Sequence, residues 1–393
     1  MMKVSLLKKI HVIVATGEWK QDQLRYRRHR LAEFLKKQPD TQEVIWLCPT
    51  PSRHEQSSST LENGIVQWTV QDPLPQKVFR FGRFKDPFYK GKLRPLIAHL
   101  RLLKKQAVCF LWYTFPGFPL LGDLFPWDKV IYDCSDLWAS PISGRKSFIY
   151  RLRQKLIAQA EGRIIERADT IFCTSDYLKK QVIDKTGPEK AQQVHTLENG
   201  VEFNLFTDRS LAEGILPEGF SGTVLGYIGG IKPKLDFELI RRIAEKRRDW
   251  LFLFVGPDGT GGQGGFRQLL SEENVVWTGS VPPRDVPKYM NLTDIGMMPY
   301  KPSPYNEAVF PLKLFEFLAA GKPAIGVHLP STRKYAEKGV YTCLDTSDPE
   351  TFIRACEQME SIKEQEAYID KRISLARMKN WTEIFREMTD LIK

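Results

Sequence analysis

The segment 311–323 constrains this chain most, because it predicts a short helix that leads directly into a buried strand. Pro311 suits a first helical turn, and apolar residues recur after it at helical spacing. Gly321 can adopt the left-handed conformation that ends a helix, and Pro323 cannot continue one. The apolar residues 324–327 follow at once. A helix that feeds a buried strand is the repeating unit of α/β proteins.

Glu316 lies near the start of this predicted helix. A helix start presents N–H groups and the positive end of the helix dipole, which favour a phosphate. A carboxylate one turn inside such a helix is well placed to accept the two hydroxyls of a ribose. The same carboxylate is also simply a favourable acid in a first turn, and the local sequence leaves both interpretations open.

The same pattern of strand, turn and helix recurs along the chain. At 393 residues and 45.4 kDa the chain has room for two domains. A polar, turn-rich stretch that starts near residue 196 divides two series of short apolar runs and predicts a linker. We therefore predict an α/β protein with two Rossmann-like domains, each built on a parallel sheet. The strand-length runs are 10–14, 44–47, 64–70, 108–112, 129–133 and 170–173 in the first half, and 222–228, 250–255, 275–279, 294–299 and 324–327 in the second.

The chain is basic, with a formal charge of +11 and a pI near 9.2, which favours an anionic partner. Residues 77–106 carry ten Lys or Arg against one acid, interleaved with aromatic side chains. Such a mixture suits an anionic membrane surface, could also stack on single-stranded nucleic acid, or is a solvated face over a core. We favour the membrane and no nucleic acid, since no nucleic-acid motif accompanies it. The candidate membrane contacts are Arg80, Arg83, Phe84, Lys85, Phe88, Lys90 and Lys92.

The six cysteines have no metal-binding spacing, and none of the six histidines has a convincing metal partner. We therefore expect reduced core cysteines, no metal and a cytoplasmic protein. No apolar run approaches the roughly 18 residues that a membrane span requires.

Two kinds of residue mark the predicted carboxyl edges of the sheets, where such folds bind ligands. Gly229 and Gly230 follow a strand and precede Lys234, so the backbone there can approach a diphosphate beside a cation. Asp133 and Asp136 end a strand and are candidates for a general base or for orienting an acceptor. Aspartates at strand ends are also common caps, and that alternative stays open.

Several further motifs follow one another along the chain: residues 14–19 and 25–30, Thr174-Ser-Asp-Tyr-Leu178, Glu198-Asn-Gly-Val201, Tyr227-Ile-Gly229, Phe254-Val-Gly-Pro257, Thr278-Gly-Ser-Val281 and Lys313-Leu-Phe-Glu316 with Gly321-Lys-Pro323. In this order they resemble the motifs of a GT-B glycosyltransferase of the large retaining family 4. The N-terminal motifs, residues 14–19 and 25–30, also resemble those of the bacterial teichuronic acid biosynthesis glycosyltransferases.

The resemblance implies an acceptor-binding domain at 1–205, a nucleotide-sugar-binding domain at 206–375 facing it across a cleft, and a helix at 376–393 that returns to the first domain. It implies transfer of a sugar from a UDP-sugar to a lipid-linked saccharide at the inner face of the membrane, with retention and without a metal or other cofactor. Asp136 lies near the sequence position, at the end of the corresponding strand, where many members have a histidine. The implied donor-binding residues are Gly17, Gly229, Gly230, Lys234, Gly256, Val281, Leu312, Lys313 and Glu316.

Two positions depart from the family pattern. Its usual pair of glutamates would place the first at Ala308, with Glu307 one step away, and Lys234 precedes Leu235 where many members have glycine. Two alternatives to a transferase therefore stay open: a nucleotide-sugar epimerase of the same fold, and a non-catalytic nucleotide-binding protein.

Overall fold

The chain divides into two compact units, each with its own parallel sheet. The computed structural model describes residues 7–21, 25–52, 57–72, 82–140, 148–262 and 264–393. Unit 1 comprises Met1–Leu197 with Phe385–Lys393, and unit 2 comprises Glu198–Ile384.

The sheet of unit 1 has eight strands in the described part of the chain, in the order β3-β4-β2-β1-β5-β6-β7-β8. All neighbours are parallel except β3, which is short, polar and antiparallel to β4 at the edge. The inner strands are continuous apolar runs because helices cover both faces of a parallel sheet. Their bounds are β1 Lys8–Val14, β2 Thr41–Thr50, β3 Ser58–Thr60, β4 Val66–Gln71, β5 Ala107–Tyr113, β6 Lys129–Cys134, β7 Thr170–Cys173 and β8 Val194–Thr196.

Six α-helices connect these strands in the described residues of unit 1. Ser175 caps α6 by accepting the N–H of Leu178 at 3.3 Å. The bounds are α1 Arg27–Lys36, α2 Asp86–Tyr89, α3 Arg94–Leu103, α4 Leu121–Leu124, α5 Phe148–Arg167 and α6 Asp176–Thr186.

The sheet of unit 2 has six strands, all parallel, in the order β11-β10-β9-β12-β13-β14 among the residues described. Counted within the unit this is the 3-2-1-4-5-6 order of a doubly wound Rossmann sheet, whose direction of winding reverses between β9 and β12. The bounds are β9 Val224–Ile228, β10 Leu251–Val255, β11 Val275–Trp277, β12 Ile295–Pro299, β13 Ala324–Val327 and β14 Tyr341–Leu344.

The helices of unit 2 pack around one apolar core that extends from Val201 to Ala376. Asp236 caps α7 by accepting the N–H of Leu239 at 3.1 Å, and Asp348 caps α12 in the same way. The bounds are α7 Phe237–Lys246, α8 Gly265–Leu269, α9 Val286–Asn291, α10 Pro304–Ala308, α11 Lys313–Ala319, α12 Pro349–Glu360 and α13 Glu366–Met378. The last helix, α14 Trp381–Leu391, starts in unit 2 and continues into the part of unit 1 that begins at Phe385.

The segment 311–323 forms the predicted helix and turn, except that the helix begins at Lys313, two residues after Pro311. Helix α11 occupies its centre, Gly321 has a φ of +74°, and β13 begins three residues later at Ala324. The predicted fold class, two α/β units with parallel sheets, is likewise confirmed.

The units divide at different residues from those the sequence suggested. The first division lies between Leu197 and Glu198 instead of at 205/206, and the second lies before Phe385 instead of at 375/376. Val201 and Phe206 are buried in the core of unit 2, and Val201 pairs with Asn380. The linker and the segment near residue 380 thus pack together inside unit 2.

The structure contradicts the prediction that Asp133 acts on a substrate. Its side chain is 1% exposed, and the Nε of Arg27 donates to Oδ1 at 3.1 Å and to Oδ2 at 2.9 Å. Arg27 starts α1, so this ion pair holds the helix over the end of β6. A carboxylate enclosed and bound in this way stabilises the fold.

No helix in the described residues has the length and apolar character to cross a membrane. Within the same residues, no group of three or more His, Cys, Asp or Glu side chains is arranged to hold a metal ion. The cysteines are free thiols, and five of the six are buried.

Replacing Asp133 by Ala should lower the free energy of unfolding by about 3–5 kcal/mol, because the buried guanidinium of Arg27 would lose the carboxylate to which its Nε donates. The double variant Arg27→Met with Asp133→Ala should be less destabilised than the sum of the single variants. Urea unfolding measures all three.

The control is Asp40→Asn. Asp40 pairs with Lys9 at 2.8 Å, but both side chains are 29% exposed, so we expect a loss of about 1 kcal/mol or less. An Asp133→Ala protein as stable as the parent but without catalytic activity would restore the catalytic assignment.

Candidate functional site

The candidate site lies in unit 2, at the carboxyl edge of its sheet where the strand order reverses. Ligands of doubly wound sheets bind in the crevice outside the strand ends at this switch point. Here the flanking strands are β9, which ends at Ile228, and β12, which ends at Pro299.

Glycine turns follow three neighbouring strands at this edge. Gly229, Gly256 and Gly279 come after β9, β10 and β11, with φ values of +132°, +136° and +77°, a region that favours glycine. A Cβ on Gly256 would lie 2.3 Å from the carbonyl oxygen of Gly229. The N–H of Gly229 donates to Val255 at 2.7 Å, and that of Gly256 donates to Gly279 at 2.8 Å. These two N–H groups are therefore bound within the protein, and the turns contribute shape and close approach.

The ammonium group of Lys313 fills the space beside Gly229. A Cβ on Gly229 would lie 2.6 Å from both the Cε and the Nζ of Lys313. The same ammonium lies 4.9 Å from the centre of the Tyr227 ring, a cation–π distance. Tyr227 in turn donates its hydroxyl to the carbonyl of Gly230 at 2.9 Å. The start of α11 is thus joined to the turn after β9 by a positive charge.

Lys234 places a second ammonium group at the same edge. Its Nζ lies 5.0 Å from the ring centre of Tyr300 and 5.5 Å from that of Tyr305. The backbone N–H of Lys301 donates to the carbonyl of Lys234 at 3.0 Å, so the loop after β9 is fixed to the end of β12. Leu235, which replaces the family's glycine, is fully buried and pairs with Tyr300.

Helix α11 carries the remaining donor candidates of this edge. Its apolar side chains are fully buried, while Leu312, Lys313 and Glu316 are half-buried on the other side. Val281 is half-buried and packs against the core just beyond the Gly279 turn. The structure therefore brings together the glycine turns, the two lysines and the start of α11.

The far end of α11 is held by two arginines that the sequence analysis missed. Arg209 donates to the carbonyl of Ala320 at 2.5 Å, and Arg372, from α13, donates to the carbonyl of Gly321. Arg372 is 1% exposed and also donates to Gly339 and Lys363, both at 2.8 Å. Burial lowers the pKa of Arg372 to about 10. Cations at a helix C-terminus stabilise the helix dipole, but a basic residue within a polar helix gives no sign of this in the sequence.

The position of the family's first glutamate is closed in this chain. Ala308 is 1% exposed at the end of α10, and Glu307 is exposed. The side chain of Asn306 is buried, and its amide N–H groups donate to the carbonyls of Lys234 at 3.2 Å and Lys301 at 2.7 Å.

The other predicted site residues belong to unit 1. Gly17 follows β1 and accepts the indole N–H of Trp46 at 3.0 Å. Asp136 follows β6 and is half-buried. Both lie at the carboxyl edge of the sheet, separated by β5. Asp133, near the end of β6, is in the buried ion pair with Arg27 described above.

The candidate membrane contacts fall into three groups. Arg80 lies outside the described residues. Arg83 and Phe84 are 5% and 8% exposed, so their assignment to the surface was wrong: Arg83 pairs with Asp72 and donates to Thr16 at 3.2 Å. Lys85, Phe88, Lys90 and Lys92 are exposed.

Comparison with known proteins identifies the family. A family model for the group 1 glycosyl transferases matches residues 222–361, which include all of the site in unit 2. A Bacillus subtilis (strain 168) protein, named "Putative teichuronic acid biosynthesis glycosyltransferase TuaH", is 53% identical over 381 residues, which cover 96% of each chain.

Solved structures share the fold. Anabaena Alr3699/HepE in complex with UDP and glucose superposes with a TM-score of 0.68 at 15% identity, over 98% of this chain and 99% of that one. WaaG, a glycosyltransferase involved in lipopolysaccharide biosynthesis, gives a TM-score of 0.62 at 16% identity over the same shares. The fold is GT-B, and the chain belongs to the group 1 glycosyl transferases.

Proposed function

We propose that this glycosyltransferase moves a sugar from a UDP-sugar to a lipid-linked saccharide in the synthesis of a cell-wall polysaccharide of the teichuronic acid type. The observation that carries the proposal is a pair of ammonium groups at the carboxyl edge of the sheet. That of Lys313 lies beside Gly229, and that of Lys234 lies near Tyr300, just after β12. Two positive charges beside a glycine turn suit a diphosphate.

The choice of donor draws on the fold and on relatives. Anabaena Alr3699/HepE was solved with UDP and with UDP-glucose. In this chain Glu316 lies one turn along α11 from Lys313 and is half-buried, where its carboxylate would accept the ribose hydroxyls. The name of the Bacillus subtilis relative supports the polysaccharide class.

In the proposed reaction the bond between the anomeric carbon and the diphosphate breaks, and a bond to an acceptor hydroxyl forms as its proton is released. The departing UDP gains negative charge, which Lys234 and Lys313 would stabilise in place of a metal. Asp136, at the edge of unit 1, is the proposed group that orients the acceptor hydroxyl. Retention at the anomeric carbon follows from the resemblance to family 4.

A panel of nucleotide sugars tests the reaction. One UDP-sugar should raise the melting temperature of the purified protein, since a ligand of the folded state stabilises it. UDP should be released only when a membrane lipid extract supplies the acceptor, and at an undiminished rate in EDTA. Conversion of the sugar without any lipid would favour an epimerase, and binding without turnover would favour a non-catalytic protein.

Variants of α11 test the donor site. Lys313→Ala should weaken UDP binding roughly 10-fold or more, as expected for a lost hydrogen bond to a charged group, and leave uridine binding unchanged. Glu316→Ala should weaken both ligands, because both contain ribose. Isothermal titration measures these affinities.

Glu350→Ala is the matched control, because Glu350 is exposed on α12 and pairs at the surface with Lys246. Unchanged UDP affinity in the Glu316 variant would remove its assignment to the ribose.

We further propose that the protein meets its lipid acceptor at an anionic membrane surface. It would contact this surface through the exposed residues of α2, of α3 and of the segment between them. Phe88 is 50% exposed between Lys85 and Lys90, and Leu102 is 67% exposed on α3. Each basic residue near an anionic leaflet contributes about 1 kcal/mol, and exposed apolar side chains insert at the interface.

Sedimentation with lipid vesicles tests this surface. Binding should increase with the fraction of anionic lipid and decrease with salt. The variant Lys85→Glu with Lys90→Glu should bind at least 10-fold more weakly. Arg267→Glu with Lys338→Glu, two exposed cations of unit 2, is the control. Equal binding to neutral and anionic vesicles would rule out the electrostatic contact.

A further inference from the structure

Trp277 is exposed although tryptophan is normally buried. It ends β11 and is 40% exposed, the highest value for a tryptophan in the described residues. Trp46, Trp112 and Trp250 are almost completely buried. A ligand that covers the exposed part of this ring would gain free energy, because apolar surface would be removed from water.

The indole ring of Trp277 is held in one orientation. Its Nε1 donates to the carbonyl of Gly256 at 2.9 Å, which draws the ring towards the glycine turn after β10. Phe266 makes an edge contact, with ring centres 5.7 Å apart and planes at 80°. Fixed on one side by these two contacts, the ring is preorganised for a partner, and little side-chain entropy remains to be lost on binding.

Trp277 ends a row of side chains that crosses the carboxyl edge of the sheet. Strand register places it beside Phe254, and Phe254 beside Tyr227. The Tyr227 ring carries the ammonium of Lys313. The row thus has an exposed aromatic ring at one end, the buried Phe254 in the middle and a positive charge, that of Lys313, on the Tyr227 ring at the other end. The backbones of the two outer strands, β11 and β9, are about 10 Å apart by the usual strand spacing.

A nucleoside diphosphate has the matching arrangement, with an aromatic base at one end, a ribose between and an anionic diphosphate at the other. Of the glycine turns between Trp277 and Lys313, the one at Gly279, just after β11, is open, because a Cβ there would meet no atom within 4 Å. An indole ring and a nucleobase stack in an offset arrangement, and this contact does not depend on which base is bound.

We propose that Trp277 stacks on the nucleobase of the donor and so supplies part of its affinity. The inference rests on the proposed function, since it takes the diphosphate to lie at Lys313 and Lys234. It adds a residue that neither the family motifs nor the glycine turns suggested.

Affinity measurements with three ligands test the proposal. Trp277→Leu should weaken binding of UDP and of uridine roughly 10-fold, within the range of base–aromatic stacking, and leave binding of inorganic pyrophosphate unchanged. Trp277→Phe keeps a ring and should recover most of the affinity. Met378→Ala, a change at another exposed apolar side chain of unit 2, should alter none of the three affinities.

Fluorescence provides a second readout. UDP should quench tryptophan emission in the parent protein, and this quenching should be lost in Trp277→Phe. Melting temperatures of the variants show whether the edge strand remains folded.

Each outcome separates the inference from the proposed function. A parent protein that binds no nucleotide would overturn the function as a whole. UDP binding equal in the parent and in Trp277→Leu would overturn only the stacking. A loss of UDP and pyrophosphate binding to the same degree would mean that Trp277 supports the strand, which also overturns the stacking.

Discussion

The close approach of two backbone turns is the constraint on which the edge of unit 2 depends. The α-carbon of Gly256 lies so near the carbonyl of Gly229 that a methyl group has no room, and the φ angles of both residues suit glycine. The turns after β9 and β10 are in contact here, and the ammonium group of Lys313 fills the space beside Gly229. Backbone shape and charge are thus fixed together at the point where a doubly wound sheet binds its ligand.

Much of this fold was predictable because its signals are local. The segment from Pro311 to Val327 contains signals for a helix, its end and a following strand. The structure has all three, although the helix starts at Lys313 and not at Pro311. The apolar runs predicted parallel strands, since a sheet covered on both faces has continuous apolar strands. The glycine turns also carried their signal in the sequence, as Gly229 and Gly256 each follow a strand directly.

The failures share a physical cause, which is pairing between residues far apart in the chain. The position of Asp133 near a predicted strand end suggested a catalytic carboxylate, but its partner, Arg27, lies 106 residues away in the chain. Arg83 belonged to a basic stretch, yet it forms a buried pair with Asp72 beside the first strand. Sequence spacing does not distinguish an exposed charge from one that is paired inside the protein. It also does not show that the ring of Trp277 is exposed, because burial depends on residues far away in the chain.

Arg372 has a consequence for where unit 2 ends in the sequence. The family match stops at residue 361, whereas Arg372 lies beyond it in α13 and satisfies the carbonyls of Gly321 and Gly339. On the opposite flank Asn199 donates to the carbonyl of Phe310 at 2.7 Å. A fragment cut at the limits of the match would remove the Arg372 and Asn199 side chains that donate to these carbonyls. The smallest autonomous piece of this half therefore extends well past its recognisable sequence at both ends.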